Sequence, residues 1–250
     1  MESNYRFFAY YYDALTGNID YRKRAEYFDS IIKKFGGKQG GILLDLACGT
    51  GLLSEEFAEM GYDVIGIDNS PDMLNEALDK KFESGHNIQY LCQDMRKLDM
   101  FGTIDVTISA LDSLNHLESP QDLKQVFERV SLFSEPGGLF IFDMNTVYKH
   151  KNILANNAFI YETENVYCVW ENSYHEKNNE VCINLEFFER DSEVYHRYSE
   201  NFSETAYSLE YIDELVQNAG FEILAHYDDD SFEPVKDNSQ RVIYVLRKVR

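Results

Sequence analysis

The stretch Leu44-Asp45-Leu46-Ala47-Cys48-Gly49-Thr50-Gly51 decides how this 250-residue chain is read. An apolar run, Ile42 to Leu46, ends in a glycine turn, and Leu52 to Met60 then follows with helical spacing until Gly61. A glycine turn between a parallel strand and a helix lets the backbone approach a ligand closely. The helix start beyond it offers unpaired N–H groups. Alone the turn is weak evidence, because many α/β folds use one for packing.

Outward from that turn, the same unit repeats. Val64 to Ile67 reads as a second strand, ending at Asp68. Ser70-Pro71 opens a helix with a good N-cap and a proline at the first helical position, and the helix runs to about Glu83. Ile88 to Cys92 and Ile104 to Ser109 are the third and fourth strands. A helix from Ser119-Pro120 to Ser134 is expected to stop at Pro136-Gly137-Gly138, before a fifth strand, Leu139 to Phe142. Nearly all-apolar strands alternating with helices predict a parallel sheet covered on both faces.

The flanks differ. The first 38 residues are rich in Tyr and Phe, with helical period from about Tyr21 to Phe35. Between Phe159 and Tyr207 no helical period appears; Val166 to Trp170 and Val181 to Phe187 alternate instead, separated by a turn at Lys177-Asn178-Asn179-Glu180. Two to four antiparallel strands are expected there, over one end of the main sheet. A helix from Ser208 to Asn218 and strands at Phe221 to Tyr227 and Arg241 to Arg247 finish the chain. The expected division is a main domain of residues 1–145 and 208–250, with 146–207 inserted as an antiparallel β cap.

Composition is ordinary for a globular chain, with 44% hydrophobic and 27% charged residues. The net charge is −21. That repels phosphate backbones and anionic membranes, and is compatible with neutral or cationic small substrates. Cys48, Cys92, Cys168 and Cys182 form no C-x-x-C pair, which argues against a zinc site and a disulfide framework. No leader-like start and no membrane-length apolar run is visible, so a cytoplasmic setting is expected.

Acids at the strand ends sharpen the site. Asp68 follows Gly51 by 17 residues, where a carboxylate can accept from a ribose diol. Asp94, in Cys92-Gln93-Asp94-Met95, can accept from an adenine amino group. Together they suggest a nucleoside-containing cofactor in the switch-point crevice. Gly36-Gly37-Lys38 is no triphosphate loop, since it lacks the Ser/Thr and precedes a strand. NAD stays open, because Gly49-Thr50-Gly51-Leu52-Leu53-Ser54 comes near G-x-G-x-x-G. Asp45, however, would repel a pyrophosphate and attract the ammonium and sulfonium of S-adenosylmethionine.

Four segments in order resemble the successive motifs of class I S-adenosylmethionine-dependent methyltransferases. They are Leu44 to Gly51; Ile65-Gly66-Ile67-Asp68-Asn69-Ser70-Pro71-Asp72-Met73-Leu74; Cys92 to Met95; and Pro136-Gly137-Gly138. The opening Tyr12-Asp13-Ala14-Leu15 is similar to the start of compact bacterial members with a β-insertion after the fifth strand. The resemblance implies a Rossmann-like seven-stranded sheet whose last hairpin is antiparallel. It implies that Gly49 and Gly51 line the methionine portion and that the Ala47 carbonyl accepts from its ammonium, supported by Asp45. Asp68 would take the ribose diol with Asn69 beside it, and Met73, Asp94 and Met95 would surround the adenine. Ala110 and Leu111 would flank the sulfonium, and Tyr12 and Tyr21 would close over the cofactor. Ala47 stands where such enzymes commonly have glycine, and Arg24 where compact relatives often carry Trp. Arg24 is read as an exposed helix charge, with pairing to the methionine carboxylate as the alternative.

The sulfonium is already a good leaving group, so the enzyme's tasks are alignment, exclusion of water and, for some acceptors, a base. Candidates for that role are Asp112, Asn115 and His116, with Asp112 read alternatively as a turn cap. Asp143 is expected to satisfy backbone at its strand end. Asn145, Tyr148 and the cap residue Trp170 are candidates for the acceptor pocket, the cap aromatics being read mainly as the cap's own core. The expected activity is methyl transfer to N or O of a small molecule. The alternatives are a tRNA or protein methyltransferase, a non-catalytic cofactor-binding module and an NAD-dependent oxidoreductase.

Overall fold

The computed structural model describes residues 6–249, so the opening Met1-Glu2-Ser3-Asn4-Tyr5 lies outside the described residues. Strands β1 (Ile42–Leu46), β2 (Asp63–Asp68), β3 (Gln89–Cys92), β4 (Ile104–Ser109) and β5 (Ser134–Asn145) form the parallel part of a seven-stranded sheet. Strands β10 (Phe221–Asp228) and β11 (Arg241–Lys248) complete it in the order β10-β11-β5-β4-β1-β2-β3, with β11 antiparallel to both neighbours. The order reverses between β1 and β4. Their carboxyl ends therefore part to leave a crevice, where ligands of open α/β sheets bind.

The inner strands bury both faces, which is why they read as continuously apolar, whereas the edge strand β3 has no buried residue. Leu43, Val64, Val106, Ile108 and Ile141 pack on helices α2 (Tyr21–Lys34) and α3 (Leu52–Glu59), through Phe28, Ile31, Ile32 and Phe57. Their neighbours Leu44, Leu46, Phe140 and Phe142 pack on α5 (Pro120–Phe133) and α7 (Leu209–Asn218). The Ser70 and Ser119 side chains cap α4 (Pro71–Ser84) and α5, each with proline at the first turn, as their sequences require.

One feature differs from expectation, and two further elements had no sequence expectation. Pro136-Gly137-Gly138 does not precede the fifth strand but lies within β5, opposite a register shift between Ile104 and Val106. Gly138 is needed there, since a Cβ would come within 2.9 Å of the Asp105 carbonyl. The aromatic opening segment is a helix, α1 (Arg6–Leu15). A short helix α6 (Val147–Lys149) and a π-turn, His150–Leu154, precede the inserted strands.

Those strands, β6 (Ala158–Glu162), β7 (Val166–His175), β8 (Glu180–Asp191) and β9 (Val194–Thr205), form a separate antiparallel sheet. Its inner face, Val166, Cys168, Val181, Ile183, Leu185 and Phe187, packs against Phe8, Ala9, Tyr11 and Leu15 of α1. So α1 serves the small sheet as its core-closing helix. Among the described residues no helix is long and apolar enough to cross a membrane.

Candidate functional site

The glycine turn after β1 is built as its sequence suggests, but its two glycines serve different ends. Gly49 lines the crevice at φ +54°, and a Cβ added there would meet nothing within 4 Å. Gly51 stands behind it, at φ +79° as the N-cap of α3, with Tyr90 Oη 2.4 Å from where a Cβ would sit. Gly49 is thus open toward a ligand, and Gly51 is required by packing. Ala47 is also left-handed, at φ +63°. A side chain there costs about 1 kcal/mol or more. Ala47→Gly is therefore expected to stabilise the protein by ~0.5 kcal/mol, the relief being partly cancelled by glycine's larger unfolded-state entropy. A rise of one or two degrees in melting temperature would show it; a fall would contradict it.

Strand alternation aims Asp45 to the same face as Leu43, toward α3. There Ser54 Oγ donates to it at 2.6 Å. Asp45 is 2% exposed. Burial pushes its carboxyl up to about 7, the Ser54 bond partly offsetting this and the Asp68 charge adding to it. Asp68 accepts the Gly49 N–H at 2.9 Å and the Ser70 N–H at 2.8 Å, so one carboxylate ties the glycine turn to the start of α4. Burial raises its pKa too, against those N–H bonds. Tyr12 and Tyr21 line the crevice from α1 and α2, opposite Ala110, Leu111 and Ser113 beyond β4. Thr50 Oγ1 donates to Asp13 at 2.6 Å and latches α1 to the glycine turn. None of the crevice-lining residues is cationic. One carboxylate in the aromatic-walled crevice, Asp45, with Asp68 beside it on the Gly49 N–H, suits a cationic nucleoside cofactor and opposes a pyrophosphate.

Farther along the edge, Asn69 follows Asp68, and Met73 is buried in α4 against the core that α1 shares with the small sheet. Asp94 caps the short turn Met95–Lys97 and is held by a bidentate pair with Arg96, at 2.9 and 2.7 Å, which keeps its carboxyl below the usual range. Lone pairs remain on it for a further donor.

The acceptor side departs most from the sequence reading. Asn115 is fully buried and saturated: it accepts the Asn145 N–H at 2.9 Å and donates to the Thr205 carbonyl at 2.9 Å. It pins β5 to β9 and does not face the crevice. Asp112 is bound by Arg241 at 2.6 Å and by Asn145 Nδ2 at 2.9 Å. Burial opposes its charge, but Arg241 and then Lys149 hold its pKa well below the ordinary value. His116 lies against the Phe202 ring, its Nε2 3.9 Å from Glu204. Asp112, His116 and Glu204 each offer one ligand atom within 4.8 Å of the others. Arg241 and Asn145 already occupy Asp112, so the group does not make a good cation site.

Arg24 is corrected. It is 6% exposed and pairs with Asp143 at 2.9 Å and Asp230 at 3.0 Å. It is neither a solvated helix charge nor free for a methionine carboxylate. Asp143 does satisfy backbone, accepting from Leu111 N–H and Asp112 N–H, but it also binds both arginines. Glu204, Lys149, Arg241 and His150 carried no local sequence signal and all converge here. Glu204 accepts from Asn145 Nδ2 at 3.0 Å, and buried His150 Nε2 lies 3.6 Å from it. Asn145 and Tyr148 line a separate cavity of about 510 Å³ between β5, α7 and the β10–β11 connection. Trp170 is not among its lining; the indole donates to Asn172 and the ring sits edge-on to Phe202, within the small sheet's own packing.

Residues 43–138 match the family described as a methyltransferase domain. Over 245 residues the chain is 29% identical to the putative methyltransferase YqeM of Bacillus subtilis, covering 98% of this chain and 97% of that protein. The crystal structure of an S-adenosylmethionine-dependent methyltransferase from Clostridium acetobutylicum superposes with a TM-score of 0.87 at 33% identity, over 98% of this chain and 99% of that one. CalS10 of Micromonospora echinaspora, an amino pentose methyltransferase solved with S-adenosylmethionine bound, shares the fold, with a TM-score of 0.75 at 19% identity over 95% and 96% of the chains. With its strand order, strand-end acids and open glycine turn, this chain belongs to the class I S-adenosylmethionine-dependent methyltransferases.

Proposed function

We propose that this enzyme methylates a nitrogen or oxygen of a small molecule, held where the turn after β4, the end of β5 and the small sheet meet. The observation that carries this is Glu204. It extends from β9 into the main sheet's edge and meets Asn145 at 3.0 Å, His150 at 3.6 Å and His116 at 3.9 Å. Residues 146–207 then act as a cap completing the acceptor site. A site enclosed in this way suits a compact molecule. Glu204, which no arginine among the described residues pairs with, favours an acceptor with a basic amine, and the charge of −21 disfavours tRNA.

S-adenosylmethionine supplies a methyl group on a sulfonium that is its own leaving group. The chain's residues do the rest. Asp68 and Asn69 hold the ribose diol, Asp94 and Met95 read the adenine edge with Met73 against its face, and Asp45 with the turn Ala47–Gly51 receives the methionine end. Leu111 and Ala110 flank the reacting centre, and Tyr12 and Tyr21 exclude water. The methionine end of the crevice, between Tyr12, Tyr21 and the glycine turn, encloses about 40 Å³ of free space. Tyr12 and Tyr21 therefore form a tight roof over that end. His116 takes the acceptor's proton, with Glu204 stabilising the imidazolium.

Release of S-adenosylhomocysteine, measured against panels of small amines, phenols, tRNA and peptides, tests this. Turnover with a small amine or phenol alone is expected; turnover confined to tRNA or peptide would overturn it. With that acceptor, Glu204→Gln is expected to lower kcat about 10- to 100-fold, less than the roughly 100- to 10,000-fold of general-base assistance because His116 remains, while cofactor affinity stays within about twofold. An unchanged kcat would remove Glu204 from the acceptor site.

A further inference from the structure

Leu111 and Asp112 are consecutive non-glycine residues in the left-handed region, at φ +59° and +57°. Such a pair persists only where its surroundings hold it. The holder is one carboxylate. Asp143, fully buried, accepts the Leu111 N–H at 2.8 Å and the Asp112 N–H at 2.6 Å. Burial pushes its pKa up, but Arg241 and Arg24, at 2.5 and 2.9 Å, more than offset this and keep it ionised. Arg241 also grips the Asp112 side chain at 2.6 Å, so the turn is held by backbone and side chain together. The outer ends of the arginines meet Asp230, 3.0 Å from Arg24, and Asp229, 3.5 Å from Arg24 and 3.7 Å from Arg241. Those two acids are about half exposed, in the connection between β10 and β11. A continuous chain of charge thus runs from a surface loop, through two buried arginines, to the strained turn that walls the cofactor crevice.

We infer that Asp143, Arg24 and Arg241 are positioning residues for methyl transfer: they clamp the Leu111–Asp112 turn in its left-handed form, and Asp229 and Asp230 set the clamp from the surface. The inference rests on the reading of the crevice as the cofactor site. Released, the turn relaxes toward right-handed backbone and Leu111 swings away from the crevice. A network that served stability alone would protect the whole sheet equally. A clamp protects this turn above the rest.

Residue-resolved amide exchange, together with calorimetric titration of S-adenosylmethionine, separates the two. The proteins compared are the wild type, Arg24→Met, Arg24→Lys and the double variant Asp229→Asn/Asp230→Asn. In Arg24→Met, exchange at Leu111 and Asp112 is expected to quicken at least tenfold and cofactor affinity to fall at least tenfold, with Leu44 and Ile141 unchanged. Arg24→Lys is expected to restore affinity to within threefold of wild type. The double variant removes only exposed carboxylates, so it keeps the fold should Arg24→Met not; about threefold loss of affinity is expected, larger at low salt. The inference fails if Leu111 and Asp112 exchange as in wild type in every variant, or if exchange quickens uniformly through Leu44 and Ile141. Failure of the wild type to bind S-adenosylmethionine would instead remove the cofactor reading, while the ligand-free exchange pattern still decides the clamp.

Discussion

Asp68→Ala is expected to weaken S-adenosylmethionine binding by at least 100-fold, the largest loss of any single substitution in the crevice. A carboxylate that accepts from both hydroxyls of a ribose diol makes two charge-assisted hydrogen bonds, each worth about 1.5–3 kcal/mol. The same carboxylate also holds Gly49 and Ser70 by their N–H groups, so its removal loosens the glycine turn. Asp68→Asn separates the two contributions. It keeps the shape but turns one acceptor into a donor, and should fall between wild type and alanine. Calorimetric titration at pH 8, with melting temperature as a control for folding, measures both. An alanine variant that is folded and binds within threefold of wild type would place the diol elsewhere.

Asp45→Asn is expected to act in opposite directions on stability and on binding. Burial raises the Asp45 carboxyl to about 7 in the folded protein. A raised folded-state pKa means that the group's contribution to stability is complete below about pH 4, its unfolded value, and is lost as pH rises toward 7. At pH 8 the folded protein carries a buried carboxylate whose cost is relieved in the asparagine variant, which should be more stable by about 1–3 kcal/mol. At pH 4 the two should be nearly equal. The ionised carboxylate is what favours a cationic ligand, so the variant should bind S-adenosylmethionine about tenfold more weakly at pH 8. For the wild type, affinity should fall about tenfold from pH 8 to pH 6 as Asp45 takes up its proton. Equal melting temperatures at pH 8 would show that its buried charge carries no such cost, and wild-type binding that ignores pH over that range would show that Asp45 is not the charge the cofactor meets.

The main sheet and the cofactor edge are legible in the sequence because both rest on local pattern. Strands such as Leu43-Leu44 and Phe140-Ile141-Phe142 are apolar on both faces, and Ser70-Pro71 and Ser119-Pro120 announce helix starts. Asp45 and Asp68 sit at fixed offsets from the glycine turn, so strand geometry alone carries them to the crevice. Pro136-Gly137-Gly138 misled for the converse reason: residues that usually break structure are tolerated inside β5 where the ladder shifts register. The helix α1 was hidden because its apolar face serves the small sheet, and nothing in Phe8, Tyr11 and Leu15 says which sheet they cover.

The acceptor side was legible only in part, and the missing part is long-range charge. Arg24 meets Asp143 across 119 residues and Asp230 across 206. An arginine on a helix looks solvated until tertiary structure buries it. Glu204 similarly reads as one more polar residue in an alternating strand, while its carboxylate is buried between two sheets. Asn115 lay in the right segment but on the wrong side of it. The single turn Ser113–His116 directs Asn115 into the junction of β5 and β9, and His116 toward Phe202.

The most direct test of the account is calorimetric titration of the wild-type protein with S-adenosylmethionine, S-adenosylhomocysteine and, separately, NAD. Micromolar binding of the first two and none of NAD is the predicted result, since Asp45 and Asp68 leave no room for a pyrophosphate's charge. Binding of NAD in place of S-adenosylmethionine by well-folded protein would contradict it.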